Sequence, residues 1–89
     1  EIKNYDGVVW DKYKYDFVLH GNYHKFQQNK QLGEYLLSTE YSVLVEASPH
    51  DTIWGVGLSK ADSDIIDVNK WKGKNLLGFA LMEVRDWLR

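Results

Sequence analysis

The chain contains no cysteine, which excludes disulfide bonds, zinc–thiolate sites and thiol catalysis. It has no run of about eighteen apolar residues, so no segment is suited to a transmembrane helix and no membrane partner is expected. Its formal net charge is −2, and it lacks the broad basic surface that nucleic-acid binding needs. Because small secreted domains usually depend on disulfides, the absence of cysteine favours a reducing, cytoplasmic location.

Proline is almost as scarce, and nothing in the chain is typical of a linker. Pro49 is the single proline, and no stretch is rich in both glycine and serine. Eighty-nine residues make one domain at most, residues 1–89. The chain opens on Glu1 without an apolar leader, so we expect it to be processed or cut from a longer one. Aromatic residues are abundant at 15%, more than a core of this size needs, and we expect some rings to line a pocket.

Apolar spacing predicts a mainly α fold with three helices. The first covers about Trp10 to Gln28 and the second Lys30 to Ser38, with Asn29 as its N-cap. The third runs from about Lys74 to Leu88. Its apolar stripe is the most regular of the three: Leu77, Ala80, Leu81, Val84, Trp87 and Leu88.

One small β piece is predicted between the second and third helices. Residues 42–46 are apolar and β-branched, which is typical of a short strand, and residues 53–58 form a second candidate. The Asp-rich stretch 60–72 is polar and predicts an irregular loop.

Two carboxylates near the predicted strands are candidates for acid–base chemistry. Glu46 ends the first strand, and Asp51 lies three residues before Trp54. A carboxyl group beside an indole in a partly dry pocket has a raised pKa, which suits a general acid. The alternative, which the residues alone favour, is that Glu46 forms an ordinary ion pair and Asp51 caps a turn.

Three lysines precede the last helix: Lys70, Lys72 and Lys74. Lysines at a helix N-terminus oppose the helix dipole, which is reasonable if an anion is bound there by free backbone N–H groups around residues 73–76. The alternative is a solvated basic loop, and the residues alone weigh the two about evenly.

Metal-type patterns are weak. His20 and His24 are one helical turn apart, but no third ligand is fixed by spacing. Asp62, Asp64 and Asp67 lack the glycine and glutamate of a calcium loop. A wet helix face and a solvated loop are the stronger interpretations, and no metal or cofactor is expected.

Five motifs occur in the same order along the chain, and together they closely resemble the NADAR family. This family is also described as the swarming-motility or riboflavin-intermediate N-glycosidase family. The matching segments are 25–29, 44–49 followed by Asp51, 54–58, 71–78 and 80–85, with Trp10 at the opening position. The resemblance covers nearly the whole chain from Trp10 onward. It implies that the chain is the C-terminal portion of a compact multihelical domain.

The resemblance also implies a reaction, the hydrolysis of an N-glycosidic bond on a phosphorylated ribose. Associated substrates are phosphoribosylamino-pyrimidine intermediates of riboflavin synthesis and ADP-ribose attached to a nucleobase. Nucleic acid is then a partner only as the carrier of a modified base. Such hydrolysis passes through an oxocarbenium-like cation that carboxylates stabilise.

Matching positions imply the site residues. Asp51 is the candidate acid or base, and Glu46 is a second, orienting or structural carboxylate. The implied substrate-binding residues are Trp10 or Trp54 for stacking, and Gly55, Asn75 and Gly78, which shape the site. Among the three lysines, Lys74 is the candidate for binding phosphate, because it is nearest to the start of the last helix.

Family members are longer at the N-terminus, where they carry a glutamate that is counted among the active-site residues. The chain is therefore a fragment, half of a site completed by a partner chain, or a reduced member. The alternative function is a non-catalytic module that binds ADP-ribose or another NAD-derived ligand. We further expect an uncovered apolar face on the first or last helix.

Overall fold

The computed structural model describes the backbone of residues 7–89 and the side chains of residues 12–89. Within that range the chain forms three α-helices, α1 (Gly7–Gln28), α2 (Lys30–Ser38) and α3 (Leu76–Leu88). Two short 3₁₀ helices, Ser63–Ile66 and Val68–Lys70, lie between α2 and α3. The mainly α class is confirmed. In the part of the chain described, no helix combines the length and apolarity needed to cross a membrane.

The ends of α2 follow local capping rules. The Asn29 side chain accepts a hydrogen bond from the Leu32 N–H at 3.2 Å, as the sequence predicts. At the other end, the Thr39 N–H and hydroxyl both donate to the Leu36 carbonyl. These bonds satisfy backbone groups that the short helix leaves without partners, and they fix its length.

The core lies where the three helices meet. Leu19 of α1, Leu36 of α2 and Val84 of α3 are buried there together with Ala80. Ala80 and Val84 belong to the apolar stripe predicted for the third helix, which thus faces the core. Because α1 and α3 pack along one another, the first turns of α3 lie beside the N-terminal half of α1.

A buried arginine joins α3 to the end of α2. The Arg85 Nη1 donates to the Thr39 hydroxyl and to the Ser42 carbonyl, both at 2.9 Å. These charge-assisted bonds hold the start of the long connection against α3. From there the chain runs as extended loop rather than as helix.

The predicted β piece is absent within residues 7–89, where the structure contains no strand. The Val56 N–H donates to the Glu46 carbonyl at 3.0 Å, but this bond does not propagate into a ladder. The apolar, β-branched residues in 42–46 predict a buried and extended segment, but Val43 is 60% exposed, and burial and an extended backbone are only two of the requirements of a strand. The third requirement is a neighbouring strand. Its place is taken by the Asn75 side chain, which binds the backbone of Leu44 and Glu46.

Aspartates organise the stretch between the loop and α3. Asp62 accepts from the Asp64 N–H at 2.9 Å, and Asp67 accepts from the Asn69 N–H at 3.0 Å. Each thus caps one of the two 3₁₀ helices. The Asp-rich pattern is explained by capping, since short helices leave N–H groups that carboxylates satisfy.

Candidate functional site

Asp51 closes a tight turn rather than projecting into a dry pocket. Its Oδ1 accepts hydrogen bonds from the Trp54 N–H at 2.8 Å and from the Ile53 N–H at 3.0 Å. These bonds, led by that of Trp54, lower the pKa of the Asp51 carboxyl, because they favour its charged form. The expected rise in pKa beside an indole is therefore wrong, and the alternative of a turn cap is correct. We call residues 51–55 the capped turn.

The capped turn lies over the N-terminus of α3. Four of its carbonyl oxygens accept backbone N–H groups at 2.9–3.2 Å; the pairs, acceptor first, are Thr52–Lys74, Gly55–Asn75, Ile53–Leu76 and Trp54–Leu77. The donors at the start of the helix are thus consumed within the protein. A phosphate held by free N–H groups of Lys74, Asn75 and Leu76 is contradicted by these bonds. Of the predicted donors at residues 73–76, only the Gly73 N–H is not accounted for by these bonds, so an anion at this end of α3 would depend mainly on side chains.

Asn75 takes the place of a neighbouring strand. Its side chain is 0% exposed, and its backbone adopts a left-handed conformation with φ of 54°. The amide Nδ2 donates to the Leu44 carbonyl and Oδ1 accepts from the Glu46 N–H, both at 2.9 Å. A Cβ on Gly78 would collide with the Leu44 carbonyl oxygen, so glycine permits the close approach. Asn75 and Gly78 thus shape the site from beneath, and direct substrate contact by either stays a prediction.

Glu46 is half-buried and takes part in this scaffold through its backbone. Its N–H is bound by Asn75, and its carbonyl accepts from Ser48 and Val56. Gly55 lies against it: a Cβ there would be 2.9 Å from the Glu46 carbonyl oxygen and 3.0 Å from that of Asp51. The predicted role of the Glu46 carboxylate is not tested by these contacts and stays a prediction.

A cleft of about 340 Å³ opens between the first half of α1, the capped turn and the start of α3. We call it the basic pocket. Its lining combines ammonium groups, aromatic rings and aliphatic side chains: Lys12, Lys14, Tyr15, Ile53, Trp54, Lys74 and Leu76. The structure therefore brings together Trp54 and Lys74, both predicted site residues, although twenty positions separate them in the chain.

The basic pocket includes residues that the sequence did not indicate as functional. Lys12, Lys14 and Tyr15 come from α1, where the sequence had indicated Trp10 alone as a site residue. Their role depends on the packing of α1 beside α3, and no local pattern reports that packing. The side chain of Trp10, another predicted site residue, lies outside the described residues.

Tyr15 connects the pocket to α3. Its phenol donates a hydrogen bond to the Glu83 carboxylate. Burial, then the charge of Glu83 and this bond, and to a smaller extent Asp16, raise the pKa of Tyr15 to about 12. The phenol consequently stays neutral at physiological pH, and the ring is held at the pocket wall.

The three lysines before α3 have different surroundings. Lys74 lines the basic pocket, whereas the Lys70 ammonium lies 3.5 Å from the Asp64 carboxylate on the surface. Among the predicted lysines, Lys74 therefore remains the one placed to meet a ligand in the basic pocket. Lys70 offers a comparison position, since its charge is next to a carboxylate.

A second hollow adjoins the basic pocket. It has a volume of about 420 Å³ and shares Lys14 and Trp54 with that pocket. The rest of its lining comes from the outer side of α1: Tyr13, Phe17 and Val18. Trp54 thus stands between a charged cleft and an apolar one.

A helical domain whose pocket combines an indole, a phenol and three ammonium groups is suited to a ligand with both a planar ring and an anionic group. The chain belongs to the NADAR family, since the NADAR domain matches it over residues 1–89. The resemblance drawn from the ordered motifs is thereby confirmed.

The chain is similar to several N-glycosidases. It is 48% identical over 85 residues to an N-glycosidase of Acanthamoeba polyphaga mimivirus, covering 96% of this chain and 50% of that protein. It is 34% identical over 79 residues to the N-glycosidase YbiA of Escherichia coli, covering 89% of this chain and 42% of that protein. The chain thus spans half or less of the length of these relatives.

A third relative is named for a biosynthetic process and not as an N-glycosidase. The chain is 40% identical over 76 residues to the chloroplastic riboflavin biosynthesis protein PYRR of Zea mays, covering 85% of this chain and 10% of that long protein. A NADAR region therefore also occurs within a much larger polypeptide.

Proposed function

We propose that this chain provides the base-and-phosphate pocket of an N-glycosidase that hydrolyses the bond between a nitrogenous base and a phosphorylated ribose. The observation that carries the proposal is the basic pocket, where the Trp54 indole and the ammonium groups of Lys12 and Lys74 face one cleft. Membership of the NADAR family and the N-glycosidase names of its relatives support it.

The pocket chemistry favours a division of labour across the ligand. A base stacks on the indole, because π-faces attract one another whatever the base. The phosphate is bound by the lysine side chains as point charges. Two substrate classes meet this description: phosphoribosylamino-pyrimidine intermediates of riboflavin synthesis, to which the maize relative's name corresponds, and ADP-ribose attached to a nucleobase.

Hydrolysis breaks the bond between ribose C1′ and the base nitrogen, and water supplies the new C1′ oxygen. One hydrogen of the water stays on that oxygen as the new hydroxyl group, the other leaves as a proton, and the departing base takes up one proton, so that no proton is gained or lost overall. An ionised Asp51 carboxylate is suited to stabilising the positive charge that develops at C1′ or to accepting the proton of the water. It is less suited to donating a proton, so in this scheme the base is protonated by another group, for which Glu46 is the candidate.

A second function is favoured by one observation. Within the described residues, neither Asp51 nor Glu46 is among the side chains that line the basic pocket. A chain that presents Trp54 and Lys74 without a carboxylate at the bond to be broken would bind ADP-ribose or a related NAD-derived ligand without cleaving it. A cytoplasmic location belongs to both proposals and is supported by the absence of cysteine.

One experiment separates the two functions. The chain is incubated with a phosphoribosylamino-pyrimidine and with ADP-ribosylated guanosine, and released base is followed by chromatography while binding is measured by calorimetry. Binding with release supports the glycosidase, and binding without release supports the module. Absence of binding to either compound would overturn both proposals.

A further inference from the structure

Between residues 12 and 17, α1 carries three aromatic side chains with different surroundings. Tyr13 and Phe17 are 68% and 82% exposed on the outer side of the helix, so the uncovered apolar face expected for the first or last helix is present here. Tyr15 is half-buried, packs against the core and lines the basic pocket. Of these three rings, that of Tyr15 alone lines the cleft that contains both Trp54 and Lys74.

Tyr15 and Trp54 line the basic pocket from different walls, since Tyr15 belongs to α1 and Trp54 to the capped turn. Within the described residues, the ring contacts of α1 lie in the second half of the helix, where His20 and Tyr23 pack on Trp87. Neither Tyr15 nor Trp54 takes part in these contacts. Neither ring is therefore already stacked on another one when a ligand enters the pocket.

The hydroxyl group of Tyr15 is engaged outside the pocket. It donates to the Glu83 carboxylate of α3, and Glu83 is not among the described residues that line the pocket. A phenol has a single proton to donate, and this bond uses it. The part of Tyr15 that remains for a ligand is the ring. A ring surface recognises a planar group by stacking, with little regard to the pattern of donors and acceptors that the group carries.

We propose that Tyr15 is a specificity-determining residue of the basic pocket, whose ring provides a second stacking surface for the base in addition to that of Trp54. Glu83 is then a positioning residue, because its bond to the phenol holds the ring at the pocket wall. This assignment rests on the proposed function, which gives the pocket a base and a phosphate to bind.

The two rings select for the presence of a base and not for its identity. Because stacking depends little on which base is stacked, a pyrimidine and a guanine gain a similar free energy of binding from the same two rings. A sugar phosphate without a base keeps only its contacts with the ammonium groups of the pocket. The chain is therefore expected to prefer ligands that carry a base over ribose 5-phosphate, and to distinguish poorly between bases.

The test compares the binding of cytidine 5′-monophosphate, guanosine 5′-monophosphate and ribose 5-phosphate to the chain by calorimetry. Tyr15→Leu is expected to weaken the binding of both nucleotides about tenfold and to leave the affinity for ribose 5-phosphate nearly unchanged. Tyr15→Phe should keep the preference of the wild type, because it retains the ring. Tyr23→Leu is the matched control, since Tyr23 is also half-buried on α1 and packed against the core but does not line the basic pocket.

The ratio of the affinities separates stacking from a purely structural role of Tyr15. A structural role would weaken the binding of all three compounds by the same factor, or of none, and either result would overturn the proposal. Loss of the preference in Trp54→Leu but not in Tyr15→Leu would overturn it while leaving the proposed function in place. A wild type that binds neither nucleotide would overturn both.

A second measurement covers the case in which Tyr15→Leu does not fold. The ring protons of Tyr15 are assigned in the NMR spectrum of the wild type by comparison with that of Tyr15→Phe. Guanosine 5′-monophosphate is expected to shift these signals upfield through the ring current of the stacked base, whereas ribose 5-phosphate should leave them in place. Signals that respond equally to both compounds, or to neither, would overturn the proposal.

Discussion

The Asp51 carboxylate accepts the Trp54 backbone N–H at 2.8 Å, so the candidate catalytic carboxylate also fixes the residue proposed to stack on the base. The effect of the Asp51 charge and its effect on the position of Trp54 can therefore be separated by experiment. An amide in place of the carboxylate keeps an oxygen that accepts from Trp54, whereas a methyl group keeps neither the oxygen nor the charge.

In a protein of full family length, Asp51→Asn is expected to lower kcat at least about tenfold while KM changes little, as when transition-state stabilisation is lost. Asp51→Ala should also raise KM, because the turn that carries Trp54 loses its cap. Steady-state release of free base measures both. Wild-type kcat in Asp51→Asn would remove the charge of Asp51 from the mechanism.

The lysine side chains are expected to carry most of the anion affinity at the N-terminal end of α3, since the N–H groups of residues 74–77 are bound by the capped turn. Lys74→Ala should weaken the binding of ribose 5-phosphate and flatten its dependence on salt. Lys70→Ala is the control, because that ammonium lies beside Asp64 and outside the pocket. Calorimetry at low and moderate salt makes the comparison, and equal affinities for Lys74→Ala and wild type would contradict the assignment.

Tyr15 provides a prediction for alkaline pH. Because folding raises the pKa of this phenol to about 12, its contribution to stability is fully present below its ordinary pKa near 10 and is lost as the pH rises through 12. Glu83→Gln should lower the pKa of Tyr15, since it removes the nearby negative charge. The ultraviolet absorbance of tyrosinate reports this titration, and subtraction of a Tyr15→Phe variant isolates the one ring. An unchanged midpoint in Glu83→Gln would contradict the coupling.

Asn75→Ala is expected to reduce the free energy of unfolding by about 2–4 kcal/mol, because it leaves the Leu44 carbonyl and the Glu46 N–H without partners in a buried place. Asn75→Gly loses the same two bonds but tolerates the left-handed backbone, so it should be less damaging by about 1 kcal/mol. Urea unfolding gives both values. Equal stability of Asn75→Ala and wild type would show that the two hydrogen bonds of the Asn75 side chain contribute little to the free energy of unfolding.

The helices could be predicted because apolar spacing and capping residues depend on positions within a few residues of one another. Asn29 caps α2 through its own side chain, and the prediction of Lys30–Ser38 agrees with the structure at both ends. The third helix was predicted to begin at about residue 74, two positions early, because Asn75 adopts a left-handed conformation just before Leu76. That conformation is set by its bonds to Leu44 and Glu46, about thirty positions away.

The site was predictable only in part, for the same reason. The family resemblance indicated Trp54, the position before the last helix indicated Lys74, and both line one cleft in the structure. Lys12 and Tyr15 reach that cleft because α1 packs beside α3, a relationship that no spacing within α1 expresses. The prediction of a β piece was wrong because the segment 42–46 is bound by the side-chain amide of Asn75 and not by a neighbouring strand.

At the N-terminus of α3, the groups that stabilise the fold differ from those proposed to select the ligand. The backbone N–H groups bind the capped turn, whereas the lysine side chains line the basic pocket. A helix end that bound phosphate through its own N–H groups would fix the distance between phosphate and indole, and any change of ligand would disturb the fold. Here the backbone donors of residues 74–77 are bound by the capped turn, and the proposed anion is left to lysine side chains, whose flexible stems reach over several ångströms. Substitutions on α1 can therefore redirect the pocket toward ligands of different length while the scaffold beneath it stays intact.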